Sequence, residues 1–326
     1  MHSPGRTVVA CFIASALVIA TAASAQTYPA KPIRWIIPYP AGGGSDFFGR
    51  TVTARLSEQL GQMIIIENRP GAATIIGAQE AAKAPPDGYT VLQGDSPTFA
   101  VNPSIYKTLP YDPQKDFAPV TLTARFAMLL VVNPSVLKVN SVREFIDFAR
   151  KEPGKLSYAS VGTGTAHHLA MELFRQQAGI ELIHVPYKGA APAVQDLIAG
   201  HIPTMFLDMA TAAPHLKSGK IKALGVAADK RIANLPEVPT IQEAGVPGFE
   251  AWAWQGIVVP AGTPREAIAK LNAEYKKAID APAVRQKLID AGIEPLHSTP
   301  EQMAAYIKSE TAKWAKVVKQ SNITAQ

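Results

Sequence analysis

Cysteine is almost absent from this chain of 326 residues, whose single cysteine, Cys11, lies in an N-terminal segment that we expect to be removed. The remaining sequence therefore excludes disulfide bonds, thiol chemistry and cysteine-ligated zinc. After the N-terminal segment, no apolar run is long enough to cross a bilayer, so we expect no stable membrane insertion. The histidines have no HExxH or similar spacing, and we expect neither a metal nor a cofactor.

Clustered positive charge is also missing, although 32 Lys and Arg residues outnumber 26 Asp and Glu residues. The basic residues are scattered, whereas nucleic-acid binding favours a basic stripe. We therefore exclude nucleic acid as a partner. Hydrophobic residues make up 47% of the chain and charged residues 18%, as is usual for a globular protein.

The first 25 residues have the pattern of a secretory signal peptide. Arg6 precedes an apolar run at residues 8–23, and Ala-Ser-Ala at 23–25 provides a small-residue cleavage site. The sequence around Cys11 loosely imitates a lipoprotein cleavage site, but the apolar run follows the cysteine instead of preceding it. We therefore predict an exported, periplasmic protein without a lipid anchor.

Strand-like apolar runs alternate with helical patterns along the chain, which predicts an α/β fold with largely parallel sheets. Residues 33–37 (IRWII) are typical of a buried strand. A helix is predicted from about 45 to 60, where apolar residues recur at a spacing of four. In the middle of the chain, a strand at 155–160 and a helix at 165–178 repeat this arrangement.

Two glycine-rich loops lie where a predicted strand meets a predicted helix, at PYPAGGGSDFFGR (38–50) and SVGTGTAHH (160–168). The start of a helix has backbone N–H groups without intrahelical partners, and glycine lets an anion approach them closely. We predict that the two loops, one per lobe, face a shared crevice and bind a small anion. Phosphate-loop and dinucleotide spacings are absent, which disfavours a nucleotide. The alternative is that the loops are ordinary turns in which Ser45 and Asp46 cap the helix.

Hydrolase chemistry is a second possibility. Ser160, in YASVG (158–162), has half of a nucleophile elbow, but Tyr158 replaces the first glycine. Ser96, after Gly-Asp, gives only a short match. His168 is expected to be a buried histidine near the start of a helix. Because no acid–base constellation accompanies either serine, we predict that the protein is not an enzyme.

A series of segments in fixed order matches a known family over essentially the whole mature chain. The segments include YPAKPIRWIIPYPAGGGSD (28–46), AVNPSIYKTLPYDPQKDFAPVT (100–121), YASVGTGTAHHLAMELF (158–174), HVPYKGAAPAVQDLIAGHI (184–202) and LPEVPTIQEAGVPGFE (235–250). In these segments the chain resembles the periplasmic substrate-binding proteins of tripartite tricarboxylate transporters, also called Bug receptors.

The resemblance implies a two-lobed, clamshell-like α/β protein of the periplasmic-binding-protein type, with the ligand cleft between the lobes. One lobe would consist of residues 26–125 and 251–326, and the other of residues 126–250. The ligand would be a small organic carboxylate, which the protein would deliver to membrane transporter subunits. A hydrolase using Ser160 or Ser96, and a ligand-sensing receptor for a signalling partner, are the alternative functions.

The resemblance places the carboxylate on the two glycine loops, and Asp208 also matches a family position near the pocket. Asp46 is expected to order its loop and not to contact the ligand. The predicted ligand-binding set is Tyr39, Ala41, Gly42, Gly43, Ser45, Asp46, Phe47, Phe99, Ser160, Gly162, Thr163, Gly164, Thr165, His168 and Asp208.

Three bulky residues, Phe47, Phe99 and Trp252, lie in segments that the resemblance places near the pocket. They predict a carboxylate with an aromatic ring or an extended apolar body, such as an extended dicarboxylate, instead of citrate. The alternative is that all three simply pack between elements of the fold.

Overall fold

The computed structural model describes residues 28–324, which form two mixed β-sheets flanked by helices. The predicted signal peptide at residues 1–25, with Cys11, lies outside the described residues. Within them, the strands are β1 (Ile33–Ile37), β2 (Ile64–Asn68), β3 (Thr90–Asp95), β4 (Phe117–Phe126), β5 (Met128–Val132), β6 (Ser157–Ser160), β7 (Ile183–Pro186), β8 (Thr204–Asp208), β9 (Lys222–Val226), β10 (Ala253–Pro260) and β11 (Ile293–Pro295).

Helices alternate with these strands. Their bounds are α1 (Gly44–Leu60), α2 (Ile75–Ala82), α3 (Asn102–Ile105), α4 (Val142–Lys151), α5 (Ala166–Ala178), α6 (Ala190–Ala199), α7 (Met209–Lys217), α8 (Arg265–Asp280), α9 (Pro282–Asp290) and α10 (Pro300–Gln320). A short π-helical turn, Pro97–Val101, follows β3 and leads into α3.

The first sheet has the strand order β11-β4-β10-β3-β1-β2. Strands β2, β1 and β3 are parallel, whereas β10 runs antiparallel to both β3 and β4. Strand β1 is almost completely buried because helices cover both faces of this part of the sheet, which explains its continuous apolar sequence.

The second sheet has the order β7-β6-β8-β5-β9. Strands β7, β6 and β8 are parallel, and β5 runs antiparallel to β8 and β9. The prediction of an α/β fold is confirmed, but both sheets are mixed and not largely parallel. Each sheet receives an antiparallel strand where the chain crosses from one sheet to the other.

The chain passes from the first sheet to the second at Ala127, between β4 and β5, and returns between β9 and β10. The lobe boundaries inferred from the resemblance stay a prediction. A continuous apolar cluster reaches both sheets, and α10 packs on α5, where Gln176 donates to the carbonyl oxygen of Val317 at 3.4 Å. The two sheets are therefore held together beside the crevice that separates their strand ends.

Candidate functional site

A cavity of about 630 Å³ lies between the carboxyl ends of strands from both sheets. Ligands of open α/β sheets bind at such strand ends. From the first sheet it is lined by Tyr39, Pro40, Ala41, Gly42, Gly43, Gly44, Ser45, Asp95, Ser96, Phe126, Ala253, Trp254 and Gln255. From the second it is lined by Val161, Ala166, His167, Lys188, Gly189, Ala190, Ala191, Pro192, Val194, Gln195, Ile198, Asp208, Ala210, Thr211, Pro214 and His215.

The first glycine loop ends at the N-cap of α1, which is Gly43 with φ −90° and ψ 175°. No side chain in residues 28–324 caps this helix, so Ser45 and Asp46 are not its N-caps, contrary to the ordinary-turn alternative. The first-turn amides lack intrahelical partners and lie at the cavity. A Cβ atom at Gly43 would meet no heavy atom within 4 Å. The loop therefore presents free backbone donors to open space.

Asp46 orders this loop from behind. Its carboxylate accepts hydrogen bonds from the Gly42 amide (3.0 Å), Arg50 (2.8 Å) and Asn68 (3.0 Å). Burial of Asp46 opposes ionisation, but these hydrogen bonds outweigh it and hold the pKa of the carboxyl below its usual value. Asp46 is buried and does not line the cavity, as its expected ordering role requires.

The second glycine loop is organised by a buried histidine. The Gly164 amide donates to Nδ1 of His168 at 3.0 Å, and the Thr165 hydroxyl donates to the Gly162 carbonyl oxygen at 2.7 Å. His168 stacks on His184 with 3.8 Å between ring centroids. Burial, with the charge of His184, lowers the pKa of His168 to about 3. His168 is therefore neutral and supports the loop, as predicted for a buried histidine.

Ser160 has a histidine partner but no access to the cavity. Its hydroxyl oxygen is 2.6 Å from Nε2 of His184, and burial lowers the pKa of that histidine to about 4. The side chain of Ser160 is completely buried beneath the loop. Ser96 lines the cavity, but its hydroxyl has no hydrogen-bond partner in the described part of the chain, and so no general base. Neither serine has the geometry of an accessible nucleophile.

Two further helix N-termini reach the cavity from the second sheet. Helix α6 begins after Gly189, whose φ of 114° is in the region that favours glycine, and no side chain among residues 28–324 caps it. Helix α7 differs, because Asp208 accepts a hydrogen bond from the Thr211 amide at 2.9 Å. Asp208 thus combines the capping role with a position at the cavity wall. Lys188 is the one Lys or Arg among the described residues of the lining.

The structure brings together part of the predicted set. Tyr39, Ala41, Gly42, Gly43, Ser45 and Asp208 line the cavity. Asp46, Ser160, Gly162, Thr163, Gly164, Thr165 and His168 lie in or beneath the two loops without lining it. At the second loop, the lining is instead Val161, Ala166 and His167.

The expected aromatic residues lie elsewhere, and this part of the prediction needs correction. Phe47 packs beside α9, with Nζ of Lys287 5.4 Å from its ring centroid. Phe99 is 1% exposed and stacks on Trp254. Trp252 lies under Arg125, 4.5 Å from its ring centroid. All three pack between elements, and the aromatic side chains at the cavity are Tyr39, Phe126 and Trp254.

Sequence reasoning missed several lining residues. The segment from Lys188 to Ile198 has the same strand–glycine–helix signal as the two glycine loops and could have been found by it. In the sequence, Asp95 stands out only as part of the short Gly-Asp-Ser match that ends at Ser96. Its carboxylate accepts from the Tyr39 hydroxyl at 2.5 Å, and burial raises its pKa. Trp254 and Gln255 reach the cavity through an antiparallel pairing that the local sequence does not indicate.

Within residues 28–324, no group of three or more His, Cys, Asp or Glu side chains is arranged to hold a metal ion. The helices of the same range include none that is both long and apolar enough to cross a membrane. The cavity lining offers backbone amides, charged side chains such as Lys188 and Asp208, and an apolar wall formed by residues such as Val194 and Ile198.

Comparison with known sequences gives one family. A profile described as the tripartite tricarboxylate transporter family receptor matches residues 48–323. The UPF0065 protein in the tcbD-tcbE intergenic region of Pseudomonas sp. (strain P51) is 41% identical, over 92% of this chain and 89% of that protein. Protein BugT of Bordetella pertussis is 36% identical, over 96% of each chain.

Solved structures have the same fold. R. palustris Rpa4515 with adipate has a TM-score of 0.87 and 38% identity, covering 91% of this chain and 99% of that one. MatC from Rhodopseudomonas palustris with bound malate has a TM-score of 0.82 and 33% identity, covering 89% of this chain and 100% of that one. The periplasmic binding protein BugD has a TM-score of 0.84 and 32% identity, covering 92% of this chain and 100% of that one. These likenesses confirm the predicted periplasmic-binding-protein fold.

Proposed function

Because the chain belongs to the tripartite tricarboxylate transporter receptor family, we propose that it binds a small organic carboxylate in the cavity and delivers it to the membrane subunits of such a transporter. The resemblance and the periplasmic location predicted from the sequence are both confirmed, and the protein is a periplasmic solute-binding protein. Two relatives of known structure hold dicarboxylic acids, adipate and malate.

The proposal rests on the helix N-termini that meet at the cavity. The uncapped N-termini of α1 and α6 and the glycine loop before α5 meet at one cavity. Each has backbone donors at the positive end of a helix dipole, which favours an anion. A carboxylate has two oxygens that each accept such donors, and charge-assisted hydrogen bonds are worth about 1.5–3 kcal/mol each. Binding between both sheets would stabilise one relative arrangement of the two sides.

The rest of the ligand would contact an apolar wall. Phe126 and Trp254 on one side and Val194, Ile198 and Pro214 on the other have little capacity to pair with further carboxylates. A carboxylate buried without partners against such side chains would cost several kcal/mol. We therefore keep the expectation of an aromatic or extended apolar body, now based on these residues and not on Phe47, Phe99 and Trp252.

The test of ligand class begins with native mass spectrometry of protein freshly purified from the periplasm, to detect a retained acid. A thermal-shift panel of citrate, malate, adipate, benzoate and terephthalate follows, with titration of the hits. Ligand at 100 times its Kd would stabilise the fold by about 2.7 kcal/mol. Binding of citrate without any aromatic or long-chain acid would contradict the expected apolar body, but not the carboxylate site.

Turnover of ester substrates distinguishes a receptor from a hydrolase. The proposal expects no release of product from ester substrates at any protein concentration, because Ser160 is buried and the Ser96 hydroxyl has no hydrogen-bonded base among residues 28–324. Hydrolysis abolished by Ser96→Ala would overturn it. Delivery is tested by ligand uptake in vesicles that contain the small and large membrane subunits of a tripartite tricarboxylate transporter. Uptake that is independent of the receptor would contradict the transport role.

A further inference from the structure

Three polar atoms beside the cavity have no hydrogen-bond partner in residues 28–324. They are the hydroxyl oxygen of Ser96 and both ring nitrogens of His167, and all three are buried. Ser96 is 1% exposed, the His167 side chain is 14% exposed, and both residues line the cavity. Buried polar groups are normally hydrogen-bonded, and leaving them unpaired is costly. A polar group of the ligand would therefore be an effective partner.

Ser96 and His167 belong to opposite sheets. Ser96 follows β3, and His167 lies in the first turn of α5, two residues after its N-cap Thr165. A ligand group that binds both side chains would therefore connect the two sides of the cavity. Because His167 lies in the first turn of α5, that group would also lie close to the backbone donors proposed to hold the carboxylate.

The neighbouring acids determine which chemical group fits. Nε2 of His167 is 3.6 Å from Oδ2 of Asp208. Asp95, next to Ser96, is buried and accepts hydrogen bonds from Tyr39 and Thr98. A second anionic group here would be repelled by these carboxylates in a poorly screened environment. A neutral hydroxyl both donates and accepts, so it can pair with the Ser96 hydroxyl and with a ring nitrogen of His167.

We propose, on the basis of the carboxylate-binding function above, that Ser96 and His167 bind a hydroxyl group of the ligand close to its carboxylate. The protein then selects 2- or 3-hydroxy acids over the same acids without the hydroxyl. Because the Ser96 hydroxyl oxygen is buried, binding of the ligand hydroxyl requires this side chain to turn toward the cavity, and its staggered positions about the Cα–Cβ bond allow that rotation without movement of the backbone. This selectivity adds to the preference for an apolar body.

Calorimetric titration with matched acids tests the proposal. The pairs are mandelate with phenylacetate and 2-hydroxyadipate with adipate, which differ only in the hydroxyl. We expect the hydroxylated member of the better-fitting pair to bind about 10-fold more tightly. Ser96→Ala and His167→Leu should each bring the ratio of affinities within the pair close to one. His201→Leu is the matched control, because His201 is 71% exposed and pairs with Asp196 away from the cavity.

The Tm of the ligand-free variants distinguishes a ligand-binding role of Ser96 and His167 from a purely structural one. Because the polar atoms of Ser96 and His167 are unpaired, both variants should keep or raise the Tm of the free protein. Equal affinities within both pairs, or an equal loss for both members in the variants, would overturn the hydroxyl site while the acids still bind. If no acid binds at all, the proposed function fails, and this inference fails with it.

Discussion

Gly43→Val should weaken carboxylate binding strongly while leaving the fold intact. Gly43 is the N-cap of α1, its φ of −90° suits any residue, and a Cβ there would contact nothing within 4 Å. The added methyl groups would occupy the space in front of the first-turn amides, where the ligand oxygens are proposed to lie. Loss of one charge-assisted hydrogen bond, worth about 1.5–3 kcal/mol, would lower the affinity by about 10-fold to 150-fold.

The stability of this variant should change little. A residue without a capping side chain is worse than glycine at an N-cap by about 1 kcal/mol, but replacing glycine restricts the unfolded chain and contributes about 0.4–1 kcal/mol in the opposite direction. The matched control is Gly61→Ala at the other end of α1. Its φ of 62° makes alanine unfavourable by about 1 kcal/mol, yet Gly61 does not line the cavity.

The assay is calorimetric titration with adipate, the acid held by Rpa4515, alongside Tm measurements of the free proteins. We expect Gly43→Val to retain its Tm and lose affinity, and Gly61→Ala to lose about 2–4 °C and retain affinity. If adipate is not bound by the unmodified protein, the best acid of the panel replaces it. Unchanged affinity in a folded Gly43→Val protein would refute the proposal that this loop binds the carboxylate.

Three further predictions concern the loops and their supports. Gly164→Ala should lower the Tm by several degrees, because its φ is +77° and its Cβ would lie 2.6 Å from Cδ1 of Ile105; an unchanged Tm would contradict this packing. Asp46→Asn should keep the fold but lower the affinity for the acid by up to about tenfold in titration, because the hydrogen bond from the Gly42 amide to this side chain becomes weaker. Unchanged affinity would refute the ordering role of Asp46. The pKa values of His168 and His184 are lowered to about 3 and about 4 in the folded state, whereas the unfolded chain has the ordinary value of about 6.5. The free energy of unfolding should therefore be highest above about pH 6.5 and fall below it by about 1.4 kcal/mol per pH unit for each histidine. His184→Gln should reduce the Tm difference between pH 7 and pH 5, and an undiminished difference would contradict this cause.

The glycine loops could be predicted from the sequence because their signals are local. A buried strand, a cluster of glycines and an i+4 apolar pattern all lie within the 28 residues at 33–60, and α1 begins one residue before its predicted start. The second loop, before α5, was found in the same way. The missed start of α6 after Lys188 carries an equivalent signal.

The side walls of the cavity could not be predicted in this way, because they depend on contacts between distant segments. Trp254 and Gln255 reach the site only through the pairing of β10 with β3. Phe47 was expected at the cleft because the resemblance places its segment near the pocket, but α9, more than 230 residues later, packs against its side chain. Ser96 and His167 meet the same cavity although they lie on different sheets. Local periodicity contains no information on such pairings.

A crystal structure with the tightest-binding acid of the panel tests the carboxylate site most directly. We expect one carboxylate of the ligand to lie with its oxygens 2.7–3.2 Å from backbone nitrogens in the first turn of α1 and in the loop before α5. Gly43 and Gly44 on one side, and Ala166 and His167 on the other, are the expected donors. A carboxylate bound outside both loops, for example on Lys188 alone, would contradict the proposed mode of binding.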